Sequence, residues 1–293
     1  MNGVFVTVYG PAKTGKSTCT GAVGATGLFI AQPGGLLPLK NFLGLEDLKV
    51  ASAHNVEAAA KIVEAEAGKH PTIVMDDFSI LVEQTIAQLE QSHSFGEMWR
   101  ALRHQVLKMR DAARAATEKG THVIFNCHEA PPKTSSGKFV RGGPALPGQL
   151  PEQFSAFSDV VARVVYEETA KPWSFVLRTV SDAQYIAGDR LSVFPSNAPM
   201  NLAEAMRLAG YDIPRPKDLA WQTTTVEGLS KAILDSGIEN WREVLQKASL
   251  VLRKKHSVPH VRWALQDALH RAVLTESREN MIDELFIESN SGW

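Results

Sequence analysis

The stretch Val4 to Tyr9 (VFVTVY) is apolar or β-branched throughout and reads as a buried strand. It breaks at Gly10, and Ser17 to Val23 after it reads as the opening turns of a helix. Gly27 to Ala31 (GLFIA) predicts a second short strand, ending at Gln32 before the turn residues Pro33, Gly34 and Gly35. Leu48 to Ala51 predicts a third, and Val56 to Ala67 has the composition of a helix. The apolar run Ile73, Val74, Met75 then ends in two acids, Asp76 and Asp77. From Phe95 to Lys119 the positions Met98, Leu102, Val106, Met109, Ala113 and Ala116 recur at helical spacing. That predicts a long amphipathic helix on a sheet, its basic residues (Arg100, Arg103, Lys108, Arg110, Arg114) forming a solvated face. Gly120 ends it, and His122 to Cys127 predicts a strand that finishes in His128 and Glu129.

Next comes APPKTSSGKFVRGGPALPGQLPEQF, rich in Pro, Gly and Ser and carrying Lys133, Lys138 and Arg141. A stretch of this kind inside a compact domain predicts disorder or a working loop. SDVVARVVYEE and WSFVLRTV then alternate like the strands of a hairpin bearing Arg163 and Arg178. Beyond them lie turns, a short helix from Leu202 to Leu208, and a proline-rich exit at Pro214 and Pro216. The pattern predicts an α/β domain over 1–215 and a small all-α domain over 221–293, whose last helix opens at Pro259. The helical part is basic in its centre (Arg242, Lys247, Arg253, Lys254, Lys255, Arg262, Arg271) and holds Trp241 and Trp263. Its end is acidic (Glu276, Glu279, Asp283, Glu284, Glu288) and closes on Trp293. Such a module suits single-stranded nucleic acid, through phosphate charge and base stacking, or equally a docking domain whose tryptophans are core.

Composition narrows the classes. The chain has 293 residues, 44% hydrophobic and 22% charged, ordinary for a globular protein. No apolar run reaches the roughly 18 residues of a membrane span and no signal-peptide pattern opens it, so the expected location is the cytoplasm. Two cysteines, Cys19 and Cys127, make neither a disulfide framework nor a metal site and are expected to be small buried residues. A formal net charge of −1 supplies no global field for nucleic acid, so any such contact needs a local patch.

The chemistry is concentrated in GPAKTGKS. Gly10, Pro11, Ala12, Lys13, Thr14, Gly15, Lys16 and Ser17 complete the pattern G-x-x-x-x-G-K-[ST], with Thr18 continuing into the helix. Such a loop curls its backbone N–H groups around anionic oxygens at a helix N-terminus, Lys16 reaching the β- and γ-phosphates and Ser17 ligating Mg²⁺. A chance glycine turn would lack the strand, loop, helix order. The acid-ended strand adds Asp76 as the Mg²⁺-side carboxylate, and His128 with Glu129 stands where strand ends line a ligand crevice.

Taken together, the phosphate loop, the acid-ended strand, the Trp99 helix and the His-Glu strand followed by GGPALPGQLPEQF…SDVVARVV resemble the RecA-like P-loop ATPases of bacteriophages, the group that includes phage single-strand-annealing ATPases and related AAA-type proteins. The resemblance covers roughly 1–215 and implies a RecA-like core with a mainly parallel sheet flanked by helices. It implies ATP and Mg²⁺ as cofactors, and single-stranded DNA and a homo-oligomeric ring or filament as partners; host cytoplasm follows if the chain is phage-encoded. It further implies that Asp77 orients water, that His128 is a polar sensor, and that 133–143 faces DNA. Arg178 and Arg190 are implied as candidates to reach a neighbouring subunit's γ-phosphate. One position departs: where such ATPases usually carry a catalytic glutamate, this chain has Gln32, which holds water but takes no proton. Either Asp77 or Glu129 substitutes, or hydrolysis is slow and the nucleotide is a conformational switch, which is the reading favoured here. The alternative is a nucleotide-dependent phage assembly factor whose C-terminal helices and tail bind protein, and the near-neutral charge suits it. A small-molecule kinase shares the loop, but the segment after His128 is poor in the arginines of a lid.

Overall fold

Strands buried on both faces read as continuous apolar runs and pair in parallel, which is the fate of the runs above. The computed structural model describes residues 2–32, 34–40, 45, 47–135, 137–167, 175–192, 194–215, 222–256 and 258–290. In chain order the elements are β1 (Phe5–Gly10), α1 (Lys16–Gly24), β2 (Leu28–Ile30), β3 (Val50–Ala51), α2 (Val56–Glu66), β4 (Thr72–Met75), α3 (Phe78–Glu90), α4 (Phe95–Glu118) and β5 (His122–Ala130). There follow β6 (Lys133–Ser135), β7 (Lys138–Val140), β8 (Gly143–Pro144), α5 (Leu150–Phe157), β9 (Val160–Tyr166), β10 (Phe175–Arg178), β11 (Gly188–Asp189) and β12 (Asn197–Pro199). The helices α6 (Leu202–Leu208), α7 (Gln222–Ser236), α8 (Trp241–Leu252) and α9 (Val258–Asn290) complete the chain.

The main sheet runs β12-β10-β9-β1-β5-β4-β2-β3. From β9 to β3 all pairings are parallel; the antiparallel pairings are those of β10 with β9 and β12, of β8 with β5 and of β11 with β9. This is an α/β core, a mainly parallel sheet flanked by helices. Alternation along each strand divides the interior into two layers. Phe5, Tyr9, Ile73, Met75, Val123 and Phe125 face α2, α3, α4 and α5, whereas Val4, Val6, Val8, Val74 and Ile124 face α1 and α6. Both cysteines are buried.

Three expectations need correcting. Of the disorder or working loop expected for the Pro/Gly/Ser-rich stretch, disorder is overturned: Lys133–Ser135 pairs with Lys138–Val140 as a hairpin, and Gly137 sits at φ 75°, a left-handed conformation that glycine adopts without strain. Pro151 in the first turn then starts α5, where its missing N–H costs nothing. The turns after Arg178 contain the strand pieces β11 and β12, which pair antiparallel with β9 and β10. Finally, Arg114 is not a solvated residue of α4; it forms a two-oxygen ion pair with Asp159 across the layer.

The C-terminal helices do not stand apart from the sheet. Trp263 and Leu274 of α9 share the core of β1, β9 and α6, and Trp263 is 2% exposed. Of the two roles left open for that tryptophan, burial selects core and leaves it no face for a base. Pro216, Trp173, Trp293 and the side chains of Glu279, Asp283, Glu284 and Glu288 lie outside the described residues.

Candidate functional site

Parallel strands end together, so β1, β2, β4 and β5 deliver Gly10, Gln32, Asp76 and His128 to one edge of the sheet. There a cavity of about 510 Å³ is walled by residues 13–18, Gln32, Gly35, Asp76, Asp77, Asn126 and His128. Gly15 caps α1 in the left-handed region at φ 85°, with no side chain on the first-turn N–H groups and no acid in that turn. Those donors and the positive helix end therefore point into the cavity uncommitted, the arrangement that binds phosphate. Gly10 is sterically required: a Cβ there would come within 2.7 Å of the Val164 Cβ.

Lys16 Nζ donates to the carbonyls of Gly10 (3.0 Å) and Pro11 (2.7 Å), its charge parked on the loop it serves. Burial holds its ammonium below the usual lysine range, against the pull of Asp77 and Asp76. Ser17 Oγ donates to Asp76 Oδ1 at 2.9 Å. Asn126 Nδ2 donates to the same oxygen at 2.8 Å and to Thr20 Oγ1 at 2.8 Å. Burial raises the Asp76 pKa, and these two donors work against that rise. A carboxylate held by neutral donors keeps its charge for a cation. Ser17 and Asp76 supply hard oxygen ligands that fit Mg²⁺, which takes few protein ligands beside phosphate oxygens and water. Among the described residues no cluster of three or more His, Cys, Asp or Glu could hold a metal by itself.

Asp77 sits in the left-handed region at φ 62° and caps α3, accepting from Ile80 N at 3.4 Å. Its Oδ2 lies 3.1 Å from His128 Nε2, while the His128 backbone N–H donates to Ser79 Oγ at 3.0 Å. Gln32 commits its amide nitrogen to Ala53 O and Gln84 Oε1, both at 3.1 Å.

Other sequence candidates lie elsewhere. Glu129 is locked to Arg163 (2.8 and 3.4 Å), whose guanidinium stacks on Tyr185, and it does not line the cavity. Arg178 is in register with Arg163 and hence with Tyr9, at the phosphate end of the sheet; it donates to Glu167 (2.9 Å) and Asn197 (3.1 Å). Arg190 follows Asp189, which pairs with Val160 three residues back along β9, roughly 10 Å toward the opposite end. Lys133 and Lys138 are exposed on the hairpin, and Arg253, Lys254 and Lys255 are exposed in the turn after α8.

Asn126 is the site residue that motif reading missed. Its signal was present: an amide inside an otherwise apolar central strand must find partners, because an unpaired buried amide costs on the order of 1–3 kcal/mol.

The family model of the AAA domain matches residues 2–191. No curated protein sequence matches the chain significantly. Among solved structures, the chain is similar to a KaiC-like protein, PH0186, from the hyperthermophilic archaeon Pyrococcus horikoshii OT3. Identity is 18%, the TM-score is 0.37, and the alignment covers 60% of this chain and 78% of that one.

Proposed function

The chain belongs to the AAA-domain family, and from that premise we propose that it is a Mg²⁺-dependent, slowly hydrolysing ATPase that acts as an oligomer on single-stranded DNA in phage recombination, annealing or replication. The observation that carries the ATPase reading is the pairing of Ser17 with Asp76, steadied by Asn126, beside an uncapped helix N-terminus.

ATP phosphates take the free N–H groups of residues 15–18, and Lys16 leaves the Gly10 and Pro11 carbonyls to meet the β- and γ-oxygens. Ser17 and Asp76 would hold Mg²⁺, which would supply charge neutralisation for phosphoryl transfer. Asp77 orients the attacking water and accepts its proton, and His128 holds that carboxylate from the other side. The carbonyl of Gln32 accepts a hydrogen bond from the same water without deprotonating it. With a single carboxylate, itself engaged by His128 and the α3 cap, turnover is slow and the nucleotide serves as a switch.

The described cavity wall contains lysines but no arginine, which favours an oligomer in which a neighbour supplies the missing charge. Arg178, at the phosphate end of an outer strand, is the better placed donor of the two candidates. His128 also roots the hairpin segment: Ala145 N donates to its carbonyl at 2.8 Å as the chain returns. Residues 1–215 act as the ATPase unit, with 221–293 as a helical unit docked on it.

The test is ATP turnover by wild type and Lys16→Ala, with and without single-stranded DNA across a salt titration. Turnover that depends on Lys16 and rises with DNA is expected. Lys16-dependent binding with no DNA response would favour the assembly-factor reading instead, for which the exposed Leu250 and Val251 on α8 supply a protein-facing surface.

A further inference from the structure

A second cleft, of about 570 Å³, opens on the α4/α5 face of the sheet, away from the phosphate loop. Its walls are the root of the hairpin, α5 and the segment 181–190. Arg141 and Arg190, distant in sequence, both line it. Arg141 is fixed there by its neighbour: Gly142 N donates to Gln184 O at 2.7 Å, and Gly142 O accepts from Ile186 N at 3.0 Å. A side chain at Gly142 would strike Tyr185 at 2.6 Å, so the close approach needs glycine. Arg190 donates to Ala156 O at 2.8 Å, yet its side chain remains 60% exposed.

Asp159, Asp189 and Glu152 also line the cleft, so its walls carry both signs of charge. Asp159 is held chiefly by Arg114 and by Phe5 N and reaches Arg190 only at 4.0 Å, while Asp189 is oriented by the N–H groups of Leu191 and Phe194. Glu152 is exposed at the rim, where water screens it. On the wall, Ser155 is 7% exposed and its hydroxyl has no hydrogen-bond partner. A buried donor in that condition is costly, and an anionic oxygen would satisfy it. Two residues before Arg141, Phe139 stands 57% exposed on β7. Guanidinium groups with an open aromatic ring two residues along the chain match a nucleic-acid strand, whose phosphates take the charge and whose bases stack.

We propose that this cleft binds the phosphodiester backbone of single-stranded nucleic acid through Arg141, Arg190 and Ser155, with a base stacked on Phe139. The inference rests on the single-strand reading above and deepens it, assigning Arg190 to the strand and not to a neighbour's γ-phosphate.

The experiment is fluorescence anisotropy of a labelled oligothymidylate with the full chain, titrated with salt, for wild type, Arg141→Ala, Arg190→Gln, the double variant, Phe139→Ala and Glu152→Gln. Thermal melting of each variant checks the fold. Each arginine change should weaken binding roughly tenfold at low salt. Each should also flatten the log–log salt slope by about 0.7. Phe139→Ala should weaken binding roughly tenfold at unchanged slope, since stacking releases no counterions. Glu152→Gln, on an exposed residue, should tighten it roughly threefold. If wild type binds and the folded double variant keeps both affinity and slope, the cleft assignment is overturned while the single-strand reading stands. No binding by wild type overturns both.

Discussion

Two regions of the molecule bury carboxylates, and they treat them oppositely. At the phosphate end Asp76 is 9% exposed and is met by the neutral donors Ser17 and Asn126. In the seam between α6 and α9, Glu204 and Asp267 are 0% and 1% exposed and are met by cations: Glu204 binds Arg207 and Arg215, with Arg271 at 3.5 Å. Arg215 also reaches Asp267 at 3.5 Å, and Asn201 donates to it at 2.6 Å. Guanidinium groups consume the seam's negative charge to join two helices. The cavity keeps its charge, because neutral dipoles orient Asp76 without cancelling it and a cation can be received there. The company a buried acid keeps thus separates a site from a staple.

The comparison breaks most visibly through Asp76→Asn. It should lower ATP turnover by about a thousandfold, the scale of a lost charge contact in phosphoryl transfer, while leaving Tm within a few degrees. A large Tm loss in that variant would make Asp76 a staple as well. Glu204→Ala should do the reverse. Leaving its arginines buried without a partner costs about 3–5 kcal/mol, a Tm drop on the order of 10 °C by differential scanning calorimetry. Asp77→Asn should slow turnover by about a hundredfold with ATP binding unchanged, because a general base acts on the chemical step. Equal loss in binding would point to a structural role for its cap on α3.

The smallest effect is a slope. Burial and the adjacent Glu204 charge push the Asp267 pKa up to about 7, against Arg207 and Arg215. A raised folded-state pKa means that the native chain holds this proton more tightly than the unfolded one. Its contribution to stability is therefore present near pH 4 and lost as pH climbs to about 7. Urea denaturation of wild type should show that decline, and Asp267→Asn should flatten it; an unchanged profile would show that Asp267 stays ionised in the seam.

How much of this was legible beforehand follows from the range of each interaction. The GPAKTGKS loop, the strands around it and the acids at Asp76 and Asp77 were readable because loop curvature, strand alternation and helix starts depend on neighbours along the chain. The order in the hairpin was missed although Gly137 marks its turn, since a Pro/Gly/Ser-rich segment is ordered here only by docking on β5 and Tyr185. Trp263 looked as fit for a base as for a core; α6 and β1 had to close over it. Asn126, an anomaly in an apolar strand, acquired a role only when β4 brought Asp76 beside it. Arg190 shows the limit most clearly, because its number says nothing about the end of the sheet it occupies. Backbone periodicity and motif chemistry are local and survive in one dimension. Which charges meet, which are cancelled and which stay open for a ligand depends on pairs distant in sequence, and folding alone assembles those.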